Sequence, residues 1–140
     1  MSVPVTIRHT VSAEDFSLAG EASADVKSRL KMMGIPADAI RRAAIALYEA
    51  EINMVIHADG GEIVVYVCPD IIKMRVEDKG PGIDDIELAM REGFSTATEE
   101  VRNLGFGAGM GLPNMKRHAD GFSVESETGK GTKIEMSFRY

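Results

Sequence analysis

The sequence has few of the features that mark secreted or membrane proteins: it contains one cysteine, no tryptophan and no long apolar run. Because the lone Cys68 cannot form an internal disulfide, we expect the protein to work in a reducing cytoplasm. No apolar stretch approaches the roughly 20 residues that a membrane-spanning helix needs. The first residues, MSVPVTIRHT, lack the charged and then apolar layout of a signal peptide. These absences predict a soluble, cytoplasmic protein that does not bind membranes.

Positive charge is also scarce. The chain has 16 Lys and Arg residues against 22 Asp and Glu residues, which gives a net charge of −6. This balance argues against direct binding to nucleic acid through a basic surface. A length of 140 residues is enough to bury one sizeable core, and we find no repeat, low-complexity tract or linker. The sequence therefore predicts a single domain spanning residues 1–140.

Several common catalytic motifs are missing. The zinc motif HExxH is absent, and His9, His57 and His118 are scattered along the chain. No G-x-S-x-G nucleophile elbow of a hydrolase is present. The segment 129–132 lacks the Walker A frame, and the glycines of 105–111 do not fit the dinucleotide pattern G-x-G-x-x-G. Both common nucleotide-binding folds are therefore disfavoured.

Hydrophobic periodicity and turn residues divide the chain into strands and helices. Ser12 is expected to cap the first long helix and Gly34 to end it. The predicted elements are a strand at Val3–His9, helices from Ser12 to Met33 and from Ala37 to Ala58, strands at Glu62–Cys68 and Ile71–Asp78, a short helix at Asp84–Glu92, a loop at Gly93–Gly109, a helix at Met110–Ala119, and a hairpin of Phe122–Glu127 and Lys133–Phe138. This order predicts an α/β (α+β) two-layer sandwich, in which helices cover one face of a mostly antiparallel sheet.

The second predicted helix carries one polar stripe. Glu49, Asn53 and His57 are spaced four residues apart and share a helix face, between residues that are almost all apolar. A carboxylate and an amide in that setting need partners, because a buried polar group left unsatisfied costs roughly 1–3 kcal/mol. Water, a metal ion or a phosphate could supply them. The simpler alternative is a helix whose solvent-exposed face carries these three residues without a functional role.

A carboxylate followed by two glycines ends the second strand of the central pair. Asp78 can accept a hydrogen bond from an amino group, such as the exocyclic amine of adenine. Gly80 and Gly82 let the backbone turn sharply and let a flat ring approach without a Cβ in the way. An ordinary turn is the alternative interpretation.

A glycine-rich loop precedes the helix predicted at Met110. Alternating glycines before a helix N-terminus offer free backbone N–H groups and a positive dipole end, which suit a phosphate chain. The glycines concerned are Gly105, Gly107, Gly109 and Gly111. A flexible linker is the alternative interpretation. Further on, Gly131 and Thr132 stand at the start of the last strand, where the pair alone indicates only a turn.

In this order and spacing, the four pieces resemble the nucleotide-binding boxes of the GHKL ATPases, the superfamily of DNA gyrase and the histidine kinases. The pieces are the stripe in 49–57, Asp78 with its two glycines, the loop at 105–111, and the Gly131-Thr132 pair. Within the superfamily, the small size and the runs GPGIDDIELAMREGFST and GAGMGLPNMKRHADGFSVESETGKGTKIEM resemble the single-domain bacterial serine kinases. These are the anti-sigma factors and the switch kinase of the stressosome. The resemblance covers roughly residues 40–136.

The resemblance implies a Bergerat-type fold that binds ATP and Mg²⁺ between the helices and the sheet, under a lid at Phe94–Gly109. It implies that Asn53 coordinates Mg²⁺, that Asp78 binds the adenine amine, and that Thr132 supports the adenine end of the nucleotide beside Asp78. It also implies that Glu49 is the general base, which takes the proton from a substrate serine hydroxyl during transfer of the γ-phosphoryl group.

The remaining site residues are also implied by the resemblance. His57 belongs to the nucleotide-binding stripe. Gly80 and Gly82 shape the adenine pocket, and the phosphate loop consists of Gly105, Gly107, Gly109 and Gly111. One departure concerns the lid, where kinases of this type carry an arginine just before the final glycines. This chain has Ala108 between two glycines there, and Arg102 or Lys116 could substitute.

Two hypotheses of function follow. In the first, the protein is a serine/threonine kinase that phosphorylates a STAS-domain protein, an anti-sigma antagonist. In the second, ATP or ADP holds a conformation that sequesters a sigma factor or another regulator, with little or no phosphotransfer. A detached histidine-kinase catalytic domain or a plain ATPase is a further alternative, although no helix with a phospho-acceptor histidine is predicted. By resemblance, we also expect a homodimer that pairs through its sheets.

Overall fold

The computed structural model describes residues 5–11, 19–57, 60–79, 90, 111–127 and 129–140, without the side chains of residues 56 and 57. In chain order, these residues form strand β1 (Val5–Val11), helices α1 (Glu21–Met32) and α2 (Ala37–His57), strands β2 (Gly61–Val67) and β3 (Ile71–Asp78), helix α3 (Gly111–His118), and strands β4 (Gly121–Glu127) and β5 (Gly131–Arg139). Within these ranges, no helix is both long enough and apolar enough to cross a membrane.

The strands form one sheet in the order β1-β2-β3-β5-β4, and neighbouring strands pair antiparallel. In the central strand β3, Met74 lies opposite Val65 of β2 and Met136 of β5. Because side chains alternate along a strand, these three residues point to the same face of the sheet. All three are buried, so this face carries the core.

The helices cover this apolar face and complete a single core. Val26 and Leu30 of α1, Leu47 and Met54 of α2, and Met115 of α3 are all buried in the same cluster as the strand residues. Removing a large apolar side chain of this kind from water contributes about 1.5–3 kcal/mol. The helix layer and the sheet are therefore held together mainly by apolar contact, and the predicted two-layer fold is confirmed.

The opposite face of the sheet carries charged side chains. Ion pairs link Arg8 to Glu62 at 3.3 Å and Arg75 to Glu77 at 3.1 Å, and Lys133 adds contacts to two further glutamates. Exposed pairs of this kind contribute about 0–1 kcal/mol each. The described helices contribute their buried apolar side chains to the core on the other face, and one apolar residue of the charged face, Val64, is also buried.

The start of α1 differs from the prediction. The sequence favoured one helix from Ser12 to Met33, but α1 begins at Glu21 after a turn at residues 19–20, and residues 12–18 lie outside the described ranges. Gly20 precedes the helix with a φ of 94°, a conformation that suits glycine. The N–H groups at this helix start are accepted by Glu51 of α2 rather than by a local cap. The prediction was wrong at residues 19–20, where the left-handed backbone of Gly20 is not helical, and over residues 12–18 it stays a prediction.

The other bounds lie close to the predicted ones. Helix α2 begins at Ala37 and β3 spans the predicted residues, while Gly34 follows α1 with a φ of 76°. Strand β1 ends two residues later than predicted, at Val11, and its predicted start at Val3 lies outside the described residues. The predicted hairpin of the last two strands is confirmed. The helix predicted at 84–92 and the loop predicted at 93–109 lie outside the described residues, apart from residue 90.

Candidate functional site

Helix α2 brings two of the predicted site residues to the surface that faces α3. Glu49 and Asn53 are one turn apart, and both are half-buried. Their neighbours Ala50 and Met54 are buried, so the helix presents a narrow polar strip between apolar flanks. The backbone of His57 forms the last turn of α2, but the placement of its side chain lies outside the described part of the structure.

The first turn of α3 is built directly onto this strip. A Cβ at Gly111 would lie 3.0 Å from Nδ2 and 3.1 Å from Oδ1 of Asn53, which is tighter than ordinary van der Waals contact. One turn further along, Nδ2 of Asn114 donates to Oε1 of Glu49 at 3.4 Å. The structure therefore brings Glu49, Asn53 and Gly111 together, although they are distant in sequence.

A second part of the site lies at the end of β3. The carboxylate oxygen Oδ1 of Asp78 accepts a hydrogen bond from the backbone N–H of Thr132 at 3.1 Å. Gly131 has a φ of 122°, and a Cβ at that position would overlap the carbonyl oxygen of Asp78. Glycine is therefore required there for β5 to begin beside the end of β3. The predicted proximity of Thr132 and Asp78 is present in the structure.

The Thr132 side chain is fixed by its neighbour across the hairpin. Its hydroxyl lies 2.9 Å from the hydroxyl of Ser126, which also donates to the carbonyl oxygen of Gly131 at 3.1 Å. These bonds hold the first residues of β5 in place and direct the N–H of Thr132 toward Asp78. Ser126 was not singled out in the sequence, since its role depends on the register of the hairpin.

The buried carboxylate of Glu51 was also missed. It lies between Glu49 and Asn53 in sequence but on a different side of the helix, and it is only 2% exposed. Its two oxygens accept hydrogen bonds from the backbone N–H groups of Gly20, Ala22 and Ser23 at 3.0, 3.1 and 2.9 Å. In the sequence, Glu51 stands out only as a glutamate flanked by apolar residues in α2. The N–H groups that it binds lie about 30 residues earlier in the chain, so the sequence did not indicate them. Glu51 thus ties the start of α1 to the helix that carries the site.

Arg42 fixes the far end of α3. Its guanidinium donates to the carbonyl oxygens of His118 and Arg139 at 3.2 and 2.9 Å, and to the carboxylates of Asp38 and Asp120 at 2.9 and 3.2 Å. The hydrogen bonds that Arg42 donates to Asp38 and then to Asp120 raise the pKa of the guanidinium. One side chain therefore joins α2 to the last residues of α3 and β5.

The donor set around Asn53 fits a magnesium ion. Mg²⁺ prefers oxygen ligands and is usually held by one or two protein groups together with substrate phosphates and water. The amide oxygen of Asn53 can supply one such ligand beside the helix start at Gly111. Among the described residues, no three His, Cys, Asp or Glu side chains form a cluster that could hold a metal ion by themselves. A metal at this position would therefore depend on the nucleotide for most of its ligands.

Part of the predicted site lies outside the described residues. The residues concerned are the lid residue Arg102 and five glycines, Gly80, Gly82, Gly105, Gly107 and Gly109. Lys116 is described and lies on the exposed side of α3.

A groove of about 450 Å³ is present on the charged face of the sheet, lined by residues such as Tyr66, Lys73 and Ser123. That groove is separated by the sheet from Asn53 and Glu49.

Comparison with known proteins identifies the class. Residues 38–140 match the family described as histidine kinase-, DNA gyrase B- and HSP90-like ATPase. The chain belongs to this family.

Several bacterial proteins are similar to this chain in sequence. The chain is 38% identical over 98 residues to the serine/threonine-protein kinase RsbT of Bacillus subtilis, an alignment covering 67% of this chain and 68% of that protein. It is also 38% identical over 97 residues to the anti-sigma F factor of Caldanaerobacter subterraneus subsp. tengcongensis, covering 66% of this chain and 64% of the relative. Against the anti-sigma F factor of Clostridium botulinum, the identity is 32% over 109 residues, with 74% and 73% covered.

A solved structure shares the fold. The structure of the RsbU and RsbW domains of Rv1364c from Mycobacterium tuberculosis superposes with a TM-score of 0.64 and 14% sequence identity. The match covers 99% of this chain and 32% of that one. At this identity the likeness concerns the fold alone.

Proposed function

We propose that the protein is an ATP-dependent serine/threonine kinase that phosphorylates a STAS-domain anti-sigma antagonist and thereby controls a sigma factor. The observation that carries the proposal is the contact of α3 with both Glu49 and Asn53. A candidate base and a candidate metal ligand thus lie together at a helix N-terminus, where backbone N–H groups and the helix dipole favour phosphate. The similarity to a serine/threonine-protein kinase and to anti-sigma F factors supports the same conclusion.

Each site residue has a role in this proposal. Asn53 supplies an amide oxygen to the metal, and Asp78 accepts a hydrogen bond from the adenine amine while the N–H of Thr132 holds its carboxylate in position. Glu49 accepts the proton of the substrate serine hydroxyl as the serine oxygen bonds to the γ-phosphorus of ATP, and the bond from that phosphorus to the β–γ bridging oxygen breaks to release ADP. When bound, Mg²⁺ neutralises phosphate charge during the transfer. His57 and the glycines at 80, 82, 105, 107 and 109 complete the nucleotide site in the same proposal.

The partners follow from the same reasoning. A STAS-domain protein supplies the serine, and a sigma factor is the protein whose release the phosphorylation controls. The charged face of the sheet is the surface that we propose for pairing with a second copy of the chain. A homodimer would be detected by light scattering coupled to size-exclusion chromatography, and a mass of 15.2 kDa at all concentrations would contradict it.

The test of the kinase proposal is transfer of labelled γ-phosphate from Mg·ATP to a co-purifying STAS-domain partner. Wild type and Glu49→Ala are compared, with Glu21→Ala as the control, because Glu21 is an exposed carboxylate of α1 outside the proposed nucleotide site. We expect label on a partner serine with wild type and with the control. We expect at least a roughly hundredfold loss of rate in Glu49→Ala, the contribution typical of a general base.

A second candidate function is a nucleotide-gated binding module. The observation that favours it is the sequence of the lid, which has Ala108 where related kinases carry an arginine near the final glycines. Tight binding of ATP without label on any partner would favour this module. If the partner is still labelled by Glu49→Ala, the protein is a kinase but Glu49 is not its general base.

A further inference from the structure

We propose that Asn114 is a positioning residue that orients Glu49 for proton transfer and links that orientation to the seating of α3. The inference rests on the proposed function, because it takes Glu49 as the general base. Its starting point is the hydrogen bond from Nδ2 of Asn114 to Oε1 of Glu49, at 3.4 Å and partly buried. Asn114 was not among the residues that the sequence pointed to.

The orientation of the Asn114 amide is determined by its two neighbours. Its Oδ1 accepts a hydrogen bond from the guanidinium of Arg117 at 3.4 Å, and its Nδ2 donates to Glu49. A guanidinium has only donors, and an ionised carboxylate has only acceptors. The reverse orientation of the amide would place like groups against each other at both ends, so this pair selects a single rotamer. The result is a relay from a cation, through a neutral amide, to the carboxylate of Glu49.

A neutral donor suits a base that must release its contact during the reaction. A cation placed directly on Glu49 would form a charge-assisted hydrogen bond, which is about twice as strong as a neutral one and would compete with the incoming proton. The amide instead engages Oε1 and leaves Oε2 to accept the proton of the substrate hydroxyl. At 3.4 Å the donor–acceptor distance is longer than is usual for an N–H···O hydrogen bond, and hydrogen bonds of catalytic groups are often long until substrate binds.

The backbone of Asn114 is held from several sides. Leu112, Pro113 and Met115 are buried next to it, so the first turns of α3 are anchored in the core. The carbonyl oxygen of Asn114 accepts a hydrogen bond from Nδ1 of His118 at 2.8 Å, and Arg42 binds the carbonyl oxygen of His118 at 3.2 Å. The Asn114 side chain therefore reaches Glu49 only while α3 stays in its place on α2.

The experiment is a double-mutant cycle on phosphotransfer to the STAS-domain partner. It combines Asn114→Ala with Glu49→Ala, and it measures kcat, KM for Mg·ATP, the Kd of ADP and the melting temperature. For Asn114→Ala we expect kcat to fall about tenfold, a part of the roughly hundredfold or more that a general base contributes. We expect KM and the Kd of ADP to stay within about twofold, since Asn114 orients the base and does not hold the nucleotide. In the Glu49→Ala background, the same substitution should have no further effect.

Two further variants sharpen the result. Asn114→Asp keeps the shape and the acceptor for Arg117 but cannot donate to Glu49, so its kcat should be at least as low as that of the alanine variant. Ser28→Ala, at an exposed position of α1, is the control and should match wild type. A normal kcat in Asn114→Asp with intact folding would contradict the relay.

The outcomes separate this inference from the proposed function. If Glu49→Ala loses transfer while Asn114→Ala keeps it, the inference is overturned and the kinase proposal stands. An equal loss from Asn114→Ala in both backgrounds would show that Asn114 acts independently of Glu49, which also overturns it. If Glu49→Ala matches wild type, or if wild type transfers no phosphate, the proposed role of Glu49 is wrong and the inference is overturned with it.

Discussion

Glu49 and Glu51 lie two positions apart on α2, and their carboxylates contact different helices. Glu49 accepts a hydrogen bond from Asn114 of α3, whereas Glu51 accepts the N–H groups at the start of α1. Residues two apart do not share a helix face, so the same helix can serve two neighbours. The same side-chain type is therefore used once for the proposed chemistry and once for the fold.

Removing Glu51 should destabilise the protein. Glu51→Ala leaves the buried N–H groups of residues 20, 22 and 23 without their acceptor, and we expect the free energy of unfolding to fall by about 1–3 kcal/mol. Glu49→Ala is the matched control two positions away and should cost less than about 1 kcal/mol. Urea denaturation followed by circular dichroism measures both. Equal stability of the two variants would contradict the capping role of Glu51.

Asn53 is predicted to be required for binding of nucleotide with Mg²⁺. Asn53→Ala removes the amide oxygen beside Gly111, and we expect it to abolish Mg²⁺-dependent ATP binding in a calorimetric titration. Binding of nucleotide in the presence of EDTA serves as the reference, because it does not use the metal. An unchanged affinity for Mg·ATP in the folded variant would show that Asn53 is not a metal ligand.

Asp78 is predicted to select adenine. Asp78→Asn keeps a side-chain oxygen that can accept the N–H of Thr132, so the fold at the end of β3 should persist. Loss of the carboxylate weakens the charge-assisted hydrogen bond to the adenine amine but leaves an acceptor, so we expect about a tenfold loss of ATP affinity, the lower limit for a hydrogen bond to a charged group of about 1.5–3 kcal/mol. Wild type that binds GTP as tightly as ATP would argue against this role.

Acid should weaken the attachment of Arg42 to Asp120. The backbone N–H of Arg139, and then the guanidinium of Arg42, lower the pKa of Asp120 in the folded protein. Because the folded pKa lies below the ordinary value of about 3.9, this stabilisation is fully present above that pH and is lost as the pH falls through the folded pKa.

The variant Asp120→Asn tests this pH dependence. The Asp120 side chain is 40% exposed, so solvent screening limits the expected loss at pH 7 to about 0.2–1 kcal/mol. The difference in unfolding free energy between wild type and variant should shrink below about pH 4. A difference that stays constant from pH 7 to pH 3 would show that charge does not contribute.

The sequence predicted best those features that depend on neighbouring residues. The ends of α2 and β3 were predicted closely because glycines, a proline and strong periodicity surround them. The start of α1 at Glu21 was not predicted, because the acceptor for the N–H groups there, Glu51, is supplied by another helix. The contacts of Asn114 and Ser126 could not be predicted either, since they depend on how α3 seats on α2 and on the register of β4 with β5.

The close approach of Gly111 to Asn53 limits the size of the residue that can start α3. A Cβ at this position would lie 3.0–3.1 Å from the amide of Asn53, so a larger residue here would push the first turn of α3 away from α2. Arg42 holds the opposite end of the helix at His118, so such a displacement would be largest at the helix start. The absence of a side chain at residue 111 therefore sets how closely the backbone of α3 approaches the proposed phosphate site.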